Sequence, residues 1–402
     1  PPWGKPIGAS HRYTTVTYPS RFGHAGIRVF HSKIVRAFPA VVYQGSTSVQ
    51  PSSRTACTVL SLLFGACRPG ESPPAAADAA AESLAADTLR PAIVTAAVLN
   101  DSDDPAIWID TLNPSRSLVI GTDKGDSTGG LYVFTLDGRI DSTRTRRPLK
   151  RPNNVDVITG VSLGGKRIDV AVTAERGTMS LRLFRLPDMT PIDGGGIAVF
   201  DGDATRAPMG VGLYRRPRDG AVFAIVGGKS GPSEGYLWQY RLADAGNGTL
   251  TATRVRTFGA YSGKKEIEAI AVDQQLGFVY YSDETVGIRK YHADPDHADA
   301  TKELALFGTT GFVGDHEGIA VYPTSDSTGY LVVSDQQGQR LQIFAREGAA
   351  RAPHTHVVLA TIPVAAQETD GLEVTARALS PAFPEGLLVM MSTDKTFHFY
   401  DW

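Results

Sequence analysis

Residues 131–138 read LYVFTLDG, and this short aromatic run is the first of six similar segments. The others are LRLFRLPD from residue 181, LWQYRLAD from 237, IRKYHADP from 288, LQIFAREG from 341 and FHFYDW from 397. Their starts lie 50, 56, 51, 53 and 56 residues apart. A repeat of about 50 residues is typical of a β-propeller or a comparable repeat array.

Short β-rich runs surround each of these segments, divided by Gly, Asp, Asn and Pro turns with no long amphipathic helix between them. One run precedes each segment directly, as SLVIGTD does at 117–123, and another stands before it, as DPAIWID does at 104–110. A fourth follows in several repeats, as LTATRVRTF does at 250–258. Four strands in each of six repeats predict an all-β, six-bladed propeller; a twisted multi-sheet sandwich is the alternative.

The sixth repeat stops at Trp402 without a fourth strand. An open edge there would leave backbone groups unpaired and weaken the closure of the ring. The apolar run Pro91–Val98 lies just before the first repeat and has no other assignment. We therefore expect this N-terminal strand to close the last blade of a propeller domain that spans residues 91–402.

Composition and charge exclude several classes of protein. The 402 residues are 42% hydrophobic and 20% charged, with a formal net charge of −2. These values argue against a disordered chain, a multispanning membrane protein and a nucleic-acid partner. Cys57 and Cys67 are the only cysteines in the sequence, so a disulfide scaffold and a cysteine-based zinc site are also excluded.

Residues 1–68 differ from the rest, and we expect a non-globular leader. Residues 1–70 contain eight Lys and Arg but no Asp or Glu. Within 54–67, Arg54 precedes an apolar run that is too short to span a bilayer but suits a signal peptide. The string LFGAC is similar to a lipoprotein processing site, which would attach lipid to Cys67; an ordinary secretory signal and an organellar transit peptide are the alternatives. With an Ala- and Pro-rich tether at 69–90, the leader predicts a secreted or cell-envelope protein.

Acidic residues gather at one phase of the repeat. The first strand of each propeller blade lines the central channel, so the beginnings of these strands converge on one mouth. Four of the six beginnings carry carboxylates, in DSDD (101–104), KEIE (265–268), GDHE (314–317) and QETD (367–370), and the second strands end near Asp123, Glu175, Asp283, Glu284 and Asp335. Crowded carboxylates repel one another unless a cation binds, and an all-oxygen ligand set favours Ca²⁺. For any single acid, capping of a turn is the alternative.

Basic residues follow the second strands of the first three repeats, at Lys124, Arg176 and Lys229. Their common phase predicts that they lie on one side of the same mouth. Because Arg and Lys donate hydrogen bonds to phosphate oxygens, cations opposite a metal-binding acidic cluster indicate a phosphate-bearing ligand.

Six strings stand in order along the domain: DSDDPAIW at 101–108, NNVD at 153–156, GK at 228–229, EAIAVD at 268–273, DHEGIAVY at 315–322 and ETDGLEV at 368–374. With them, the chain from about residue 92 to 402 resembles the β-propeller phytases. Members of that family are calcium-dependent enzymes that release phosphate from inositol hexakisphosphate, or phytate.

The resemblance implies a set of site residues. Carboxylates of the catalytic calcium cluster would be Asp103, Glu268, Glu284, Asp315, Glu317 and Asp370. Asp104 would belong to a tighter, stabilising calcium site, and Lys124, Arg176 and Lys229 would bind substrate phosphate. The family often has a lysine pair where this chain has Lys124-Gly125, and a phosphate-contacting tyrosine where it has Met209. Both departures remove contacts to phosphate rather than metal ligands.

The sequence thus predicts a phosphoric monoester hydrolase of the 3-phytase type that uses several calcium ions. The expected substrate is phytate as its calcium complex, attacked by metal-activated water. No Ser, Cys or His nucleophile with a suitable base stands out, and we assign a packing role to His316. A lactonase-type propeller hydrolase and a non-catalytic, calcium-stabilised envelope binding module are the alternatives. A closed propeller needs no partner subunit, so we expect a monomer.

Overall fold

The structure is a computed structural model that describes residues 88–402. The predicted leader at 1–68, its signal-like segment at 54–67 and Cys67 lie outside this range. The described residues form six antiparallel sheets and contain no α-helix. Consequently, nothing helical in this part of the chain is long and apolar enough to cross a membrane.

Each sheet is one blade, with strands running from the channel to the outer edge. The first blade has β2 (Ser102–Trp108), β3 (Leu118–Asp123), β4 (Gly129–Thr135) and β5 (Arg146–Leu149). The second has β6 (Pro152–Leu163), β7 (Lys166–Glu175) and β8 (Ser180–Leu186), with β9 (Thr190–Pro191) and β10 (Ile197–Ala198) dividing its outer edge. The third has β11 (Pro208–Arg215), β12 (Val222–Gly228), β13 (Glu234–Asp244) and β14 (Leu250–Ala260).

The other three blades repeat this order. The fourth has β15 (Ile270–Asp273), β16 (Phe278–Asp283), β17 (Gly287–His292) and β18 (Ala305–Phe307). The fifth has β19 (His316–Pro323), β20 (Gly329–Asp335), β21 (Arg340–Ala345) and β22 (Val358–Pro363). The sixth has β23 (Leu372–Thr375), β24 (Leu387–Ser392) and β25 (Thr396–Asp401), completed by β1 (Ile93–Val94). The predicted six-bladed propeller is confirmed.

Strand β1 closes the ring as the sequence predicts. It runs antiparallel to β25, with Ile93 opposite Phe399. The regular strand is shorter than the predicted run, but single backbone hydrogen bonds extend the pairing. Thr95 N, for example, donates to the carbonyl oxygen of Phe397 at 3.0 Å. Leu89 already forms a bridge to Val364 in blade five, so the N-terminal segment ties together more than one blade.

Six hydrophobic clusters hold the propeller together, and each lies between two neighbouring blades. Every residue of β3, for example, is buried, because this strand packs against blades on both of its faces. Between blades six and one, the rings of Phe134 and Phe397 are in edge contact at 5.6 Å. At Gly121 a β-carbon would lie 2.3 Å from the Phe397 ring, so the close approach of these blades requires glycine.

Candidate metal and phosphate site

Six equivalent residues begin the channel strands. In β2, β6, β11 and β19 the pairing register shifts just after the first residue, which leaves two residues outside the regular ladder. Bulges of this kind re-aim side chains and are frequent next to active sites. One residue in each blade stands two positions before the regular pairing of its channel strand; for β15 and β23, which have no register shift, this is two positions before the strand begins. These residues are Asp103, Asn153, Met209, Glu268, Glu317 and Asp370. Four of these six positions are therefore carboxylates at one end of the channel.

A second ring of residues directly follows the second strand of each blade. Its members are Lys124, Arg176, Lys229, Glu284, Gln336 and Thr393. Contacts between the two rings join the blades across the mouth. Lys124 Nζ in blade one lies 2.8 Å from Asp103 Oδ1 and 2.7 Å from Asp370 Oδ2 in blade six. Gln336 of blade five donates to the other carboxylate oxygen of Asp370.

The residues that end the second strands are bound by neighbouring backbone amides and arginine side chains. Asp283 is fully buried and accepts hydrogen bonds from Arg289 Nη2 at 2.9 Å and from the Ser262 amide at 3.0 Å. Asp335 is bound in the same way by Arg340 and the Val313 amide. Asp123 and Glu175 likewise accept hydrogen bonds from neighbouring backbone amides. Turn capping, the alternative for single acids, therefore describes these four residues.

Glu284, Asp315 and Glu317 form the tightest acidic group of the described residues. One ligand atom from each lies within 4.8 Å of the others, and all three side chains are buried. Glu284 Oε1 and Glu317 Oε2 are buried without a hydrogen-bond partner. Buried carboxylate oxygens normally have partners, so two such atoms in one oxygen-only group fit a hard divalent cation such as calcium.

Burial and mutual repulsion raise the pKa values of these carboxyls. Burial raises the pKa of Glu284 to about 7, although Lys265 opposes the shift. Burial and the charge of Asp103 together raise the pKa of Asp370 to about 6. For Glu268 and Glu317 the causes are again burial first and neighbouring carboxylates second, and the pKa of each lies well above its usual range. A bound cation would reverse this direction, because it favours the charged carboxylates.

The three predicted phosphate-binding bases all lie at the mouth but have different partners. Lys124 is held deepest; burial alone would lower its pKa, but Asp103 and Asp370 outweigh that effect and raise it. Arg176 Nη1 lies 3.4 Å from Asn153 Oδ1, and burial lowers its pKa. Lys229 pairs with Glu266 at 2.7 Å on the rim, with half of its side chain exposed.

Asp104 lies in a different environment from the six predicted catalytic carboxylates. It lines the central channel below the mouth, in a cavity of about 320 Å³, together with Asp156 and Glu373. Its side chain accepts a hydrogen bond from the Val155 amide at 2.9 Å. Burial raises the pKa of Asp104 well above its usual range, that of Asp156 to about 7 and that of Glu373 to about 8.

His316 and Met209 both face protein rather than open solvent. His316 Nε2 lies 2.6 Å from the Gly308 carbonyl oxygen, and its ring packs on Phe312 at 3.9 Å between centroids. These contacts agree with the predicted packing role. Met209 is fully buried, although it shares the bulge position of Asp103 and Glu317.

Sequence reasoning missed Lys265, Gln336 and Gln337. Lys265 Nζ lies 2.6 Å from Asp315 Oδ2 and 3.2 Å from Glu284 Oε2, and Gln337 Nε2 donates to Asp315 Oδ2 at 2.8 Å. Two signals could have found them. Lys265 begins the string KEIE, which drew attention only for its acids, and Gln336 occupies the same phase as Lys124.

Comparison with known proteins agrees with this geometry. The sequence profile of the phytase family matches residues 55–397. The 3-phytase of Bacillus subtilis (strain 168) is 29% identical over 304 residues, which cover 72% of this chain and 73% of that protein. Because the family profile matches most of the chain, this protein belongs to the phytase family.

Proposed function

We propose that the mouth is the active site of a calcium-dependent phosphatase that releases phosphate from phytate. Membership of the phytase family makes the chain a phosphatase of the phytase type. The calcium dependence rests on one observation above all, the group formed by Glu284, Asp315 and Glu317 with its two unpartnered buried oxygens. The Bacillus relative is named a 3-phytase, and we extend that positional class to this chain.

The carboxylates at the mouth would hold the metal. Glu284, Asp315 and Glu317 form the core of the site, Glu268 adds a further carboxylate from blade four, and Asp103 and Asp370 extend the site toward blades one and six. Asp104, buried in the channel, would belong to a separate stabilising calcium site. When bound, calcium would offset the charge that develops on the phosphate and activate water for attack on phosphorus.

The basic residues would bind and orient the substrate. Lys124, Arg176 and Lys229 belong to three consecutive blades, so they can hold different phosphates of one molecule. Holding the substrate in a fixed orientation raises the effective concentration of the reacting group. Glu284 Oε1 and Glu317 Oε2 have no partner within the chain, and a substrate that arrives as its calcium complex would bring positive charge to them.

Family membership supports this function over the two alternatives from the sequence. A lactonase-type hydrolase has no need of three bases above its metal ligands, and a binding module has no need of catalytic geometry. Secretion or attachment to the cell envelope, lipidation of Cys67 and a monomeric state stay predictions.

Phosphate release from phytate by the purified chain tests the proposal. We expect activity with calcium and a loss of about a hundredfold or more with excess chelator, because the charge on the phosphate is then not offset. Glu317→Gln should cause a comparable loss of activity at saturating substrate, since it replaces a buried, negatively charged metal ligand with a neutral amide. Asp219→Asn, on the opposite face, is the control and should keep full activity. Full activity in chelator would overturn the calcium dependence without affecting the family assignment.

A further inference from the structure

Lys265 reaches the acidic group from outside it. Its side chain is 42% exposed, whereas those of its partners Glu284 and Asp315 are 2% and 11% exposed. The residue lies in the segment between β14 and β15, where no regular strand fixes it. The ammonium group can therefore leave the carboxylates without disturbing the packed blades.

The ammonium and a metal ion would compete for the same oxygens. Lys265 Nζ contacts Asp315 Oδ2 at 2.6 Å and Glu284 Oε2 at 3.2 Å, and both residues belong to the group that fits a divalent cation. Even with the lysine in place, Glu284 Oε1 and Glu317 Oε2 have no partner. One ammonium therefore satisfies the group only in part, and a dication with six to eight oxygen ligands is the better counter-ion.

The position of Lys265 complements the three other bases. Lys124, Arg176 and Lys229 belong to blades one, two and three, whereas Lys265 leads into blade four and contacts blade five. A ligand with a single phosphate can be held from one side of the mouth. A ring with phosphates on all its carbons also directs phosphates toward the opposite side, where Lys265 stands.

We propose that Lys265 is an exchangeable cation: it pairs with Glu284 and Asp315 when metal is absent, and calcium displaces it to bind a second phosphate of a polyphosphorylated substrate. Only the substrate half of this inference, the binding of a second phosphate by Lys265, rests on the proposed function. Displacement by calcium requires just the carboxylate group. Lys265 is thus a specificity-determining residue that couples metal loading to recognition of several phosphates.

Chemical labelling of lysines tests the displacement without any turnover. The purified chain is acetylated with limiting acetic anhydride, with calcium or with chelator, and modification is quantified by peptide mass spectrometry. Calcium should raise the modification of Lys265 several-fold, because its ion pairs are broken. The neighbouring exposed Lys264 serves as the internal control and should not change. Equal labelling of Lys265 in both states would overturn the displacement.

Steady-state kinetics test the substrate half. Lys265→Met should raise KM for phytate about tenfold, as expected for the loss of a charge-assisted hydrogen bond, with kcat nearly unchanged. KM for p-nitrophenyl phosphate, which has one phosphate, should stay the same, and Lys264→Met should change neither. Equal effects on both substrates would overturn the specificity role. If wild-type chain releases no phosphate from phytate while calcium still exposes Lys265 to labelling, the proposed function fails and the displacement stands.

Discussion

Two clusters of acidic residues lie at opposite ends of the propeller strands, and they differ in how completely positively charged side chains pair with them. At the end away from the mouth, after β11 and β17, Arg216 pairs with Asp219 at 2.6 Å and with Asp296 at 2.5 Å. Arg218 binds Asp296 as well, at 2.8 Å. At the mouth, Lys124, Lys229 and Lys265 pair with a larger group of carboxylates, and two buried carboxylate oxygens have no partner.

The pKa shifts of the two clusters have opposite signs. Hydrogen bonds from Arg216 lower the pKa of Asp219. Burial alone would raise the pKa of Asp294, but the Asp296 amide and Arg216 outweigh it and lower it. Burial and repulsion raise the pKa of Glu317 instead. Carboxylates that pair with arginine stabilise the fold. The carboxylates at the mouth lack enough positive partners, so they make the fold less stable in the absence of metal and can bind a cation.

The largest expected difference is in the response of stability to pH and calcium. The folded-state pKa values of Glu284, Asp156 and Glu373, about 7, 7 and 8, lie above the ordinary values of these groups. Such groups contribute stability in full below their unfolded pKa, and the contribution is lost as pH rises through the folded value. We expect Tm in chelator to fall by about 5 to 10 °C between pH 6 and pH 8, and calcium to abolish most of the fall.

Thermal unfolding by circular dichroism at the two pH values, with calcium or with chelator, measures this difference. Buried histidines act in the opposite direction: burial lowers the pKa of His292 and His356 to about 4, so the stability that they contribute declines as pH drops below their unfolded value of about 6.5. Because this contribution does not involve calcium, the comparison of calcium with chelator at each pH separates it from that of the carboxylates. Equal stabilisation by calcium at both pH values would show that Glu284 at the mouth and Asp156 and Glu373 in the channel are not the linked groups.

Most of the fold can be predicted from the sequence because one pattern repeats six times. The spacing of LYVFTLDG and its relatives predicts the blades, and the apolar run Pro91–Val98 before the first repeat predicts the closure by β1. Divided outer strands such as β9 and β10 cannot be predicted in this way, since each has two residues and no apolar alternation.

The site can be predicted only in part, because neighbouring acids face different directions. Asp103 turns to the mouth while Asp104 lines the channel, and Asp283 caps a loop while Glu284 joins the metal group. A bulge or strand end sets each direction, and residue type does not reveal which of two adjacent acids it selects. The reach of Lys265 across to blade five likewise depends on the path of a segment without regular structure.

An intermediate effect is expected at the matched cluster. Arg216→Met should lower the free energy of unfolding by about 1 to 3 kcal/mol, because one side chain that is 9% exposed pairs with three carboxylates. Urea unfolding measures the change, which should be the same with calcium and with chelator. Arg185→Met is the control, because the Arg185–Asp188 pair is exposed and such pairs contribute little. A change in calcium response in Arg216→Met would contradict the independence of the two clusters.

The smallest effect is expected for replacement of Lys229, a residue of the mouth whose charge is paired as in the cluster on the opposite face. Lys229 lies at the mouth, is half exposed and pairs with Glu266. Its charge is therefore balanced by one partner, as the charges of the Arg216 cluster are. Lys229→Gln should leave Tm unchanged within about 1 °C, since exposed ion pairs contribute little to stability. It should raise KM for phytate about three- to tenfold with kcat unchanged, because the lysine would hold a phosphate that does not react. Lys166→Gln, at the other end of the strands, controls for net charge; a fall in kcat for Lys229→Gln alone would instead place this residue beside the reacting phosphate.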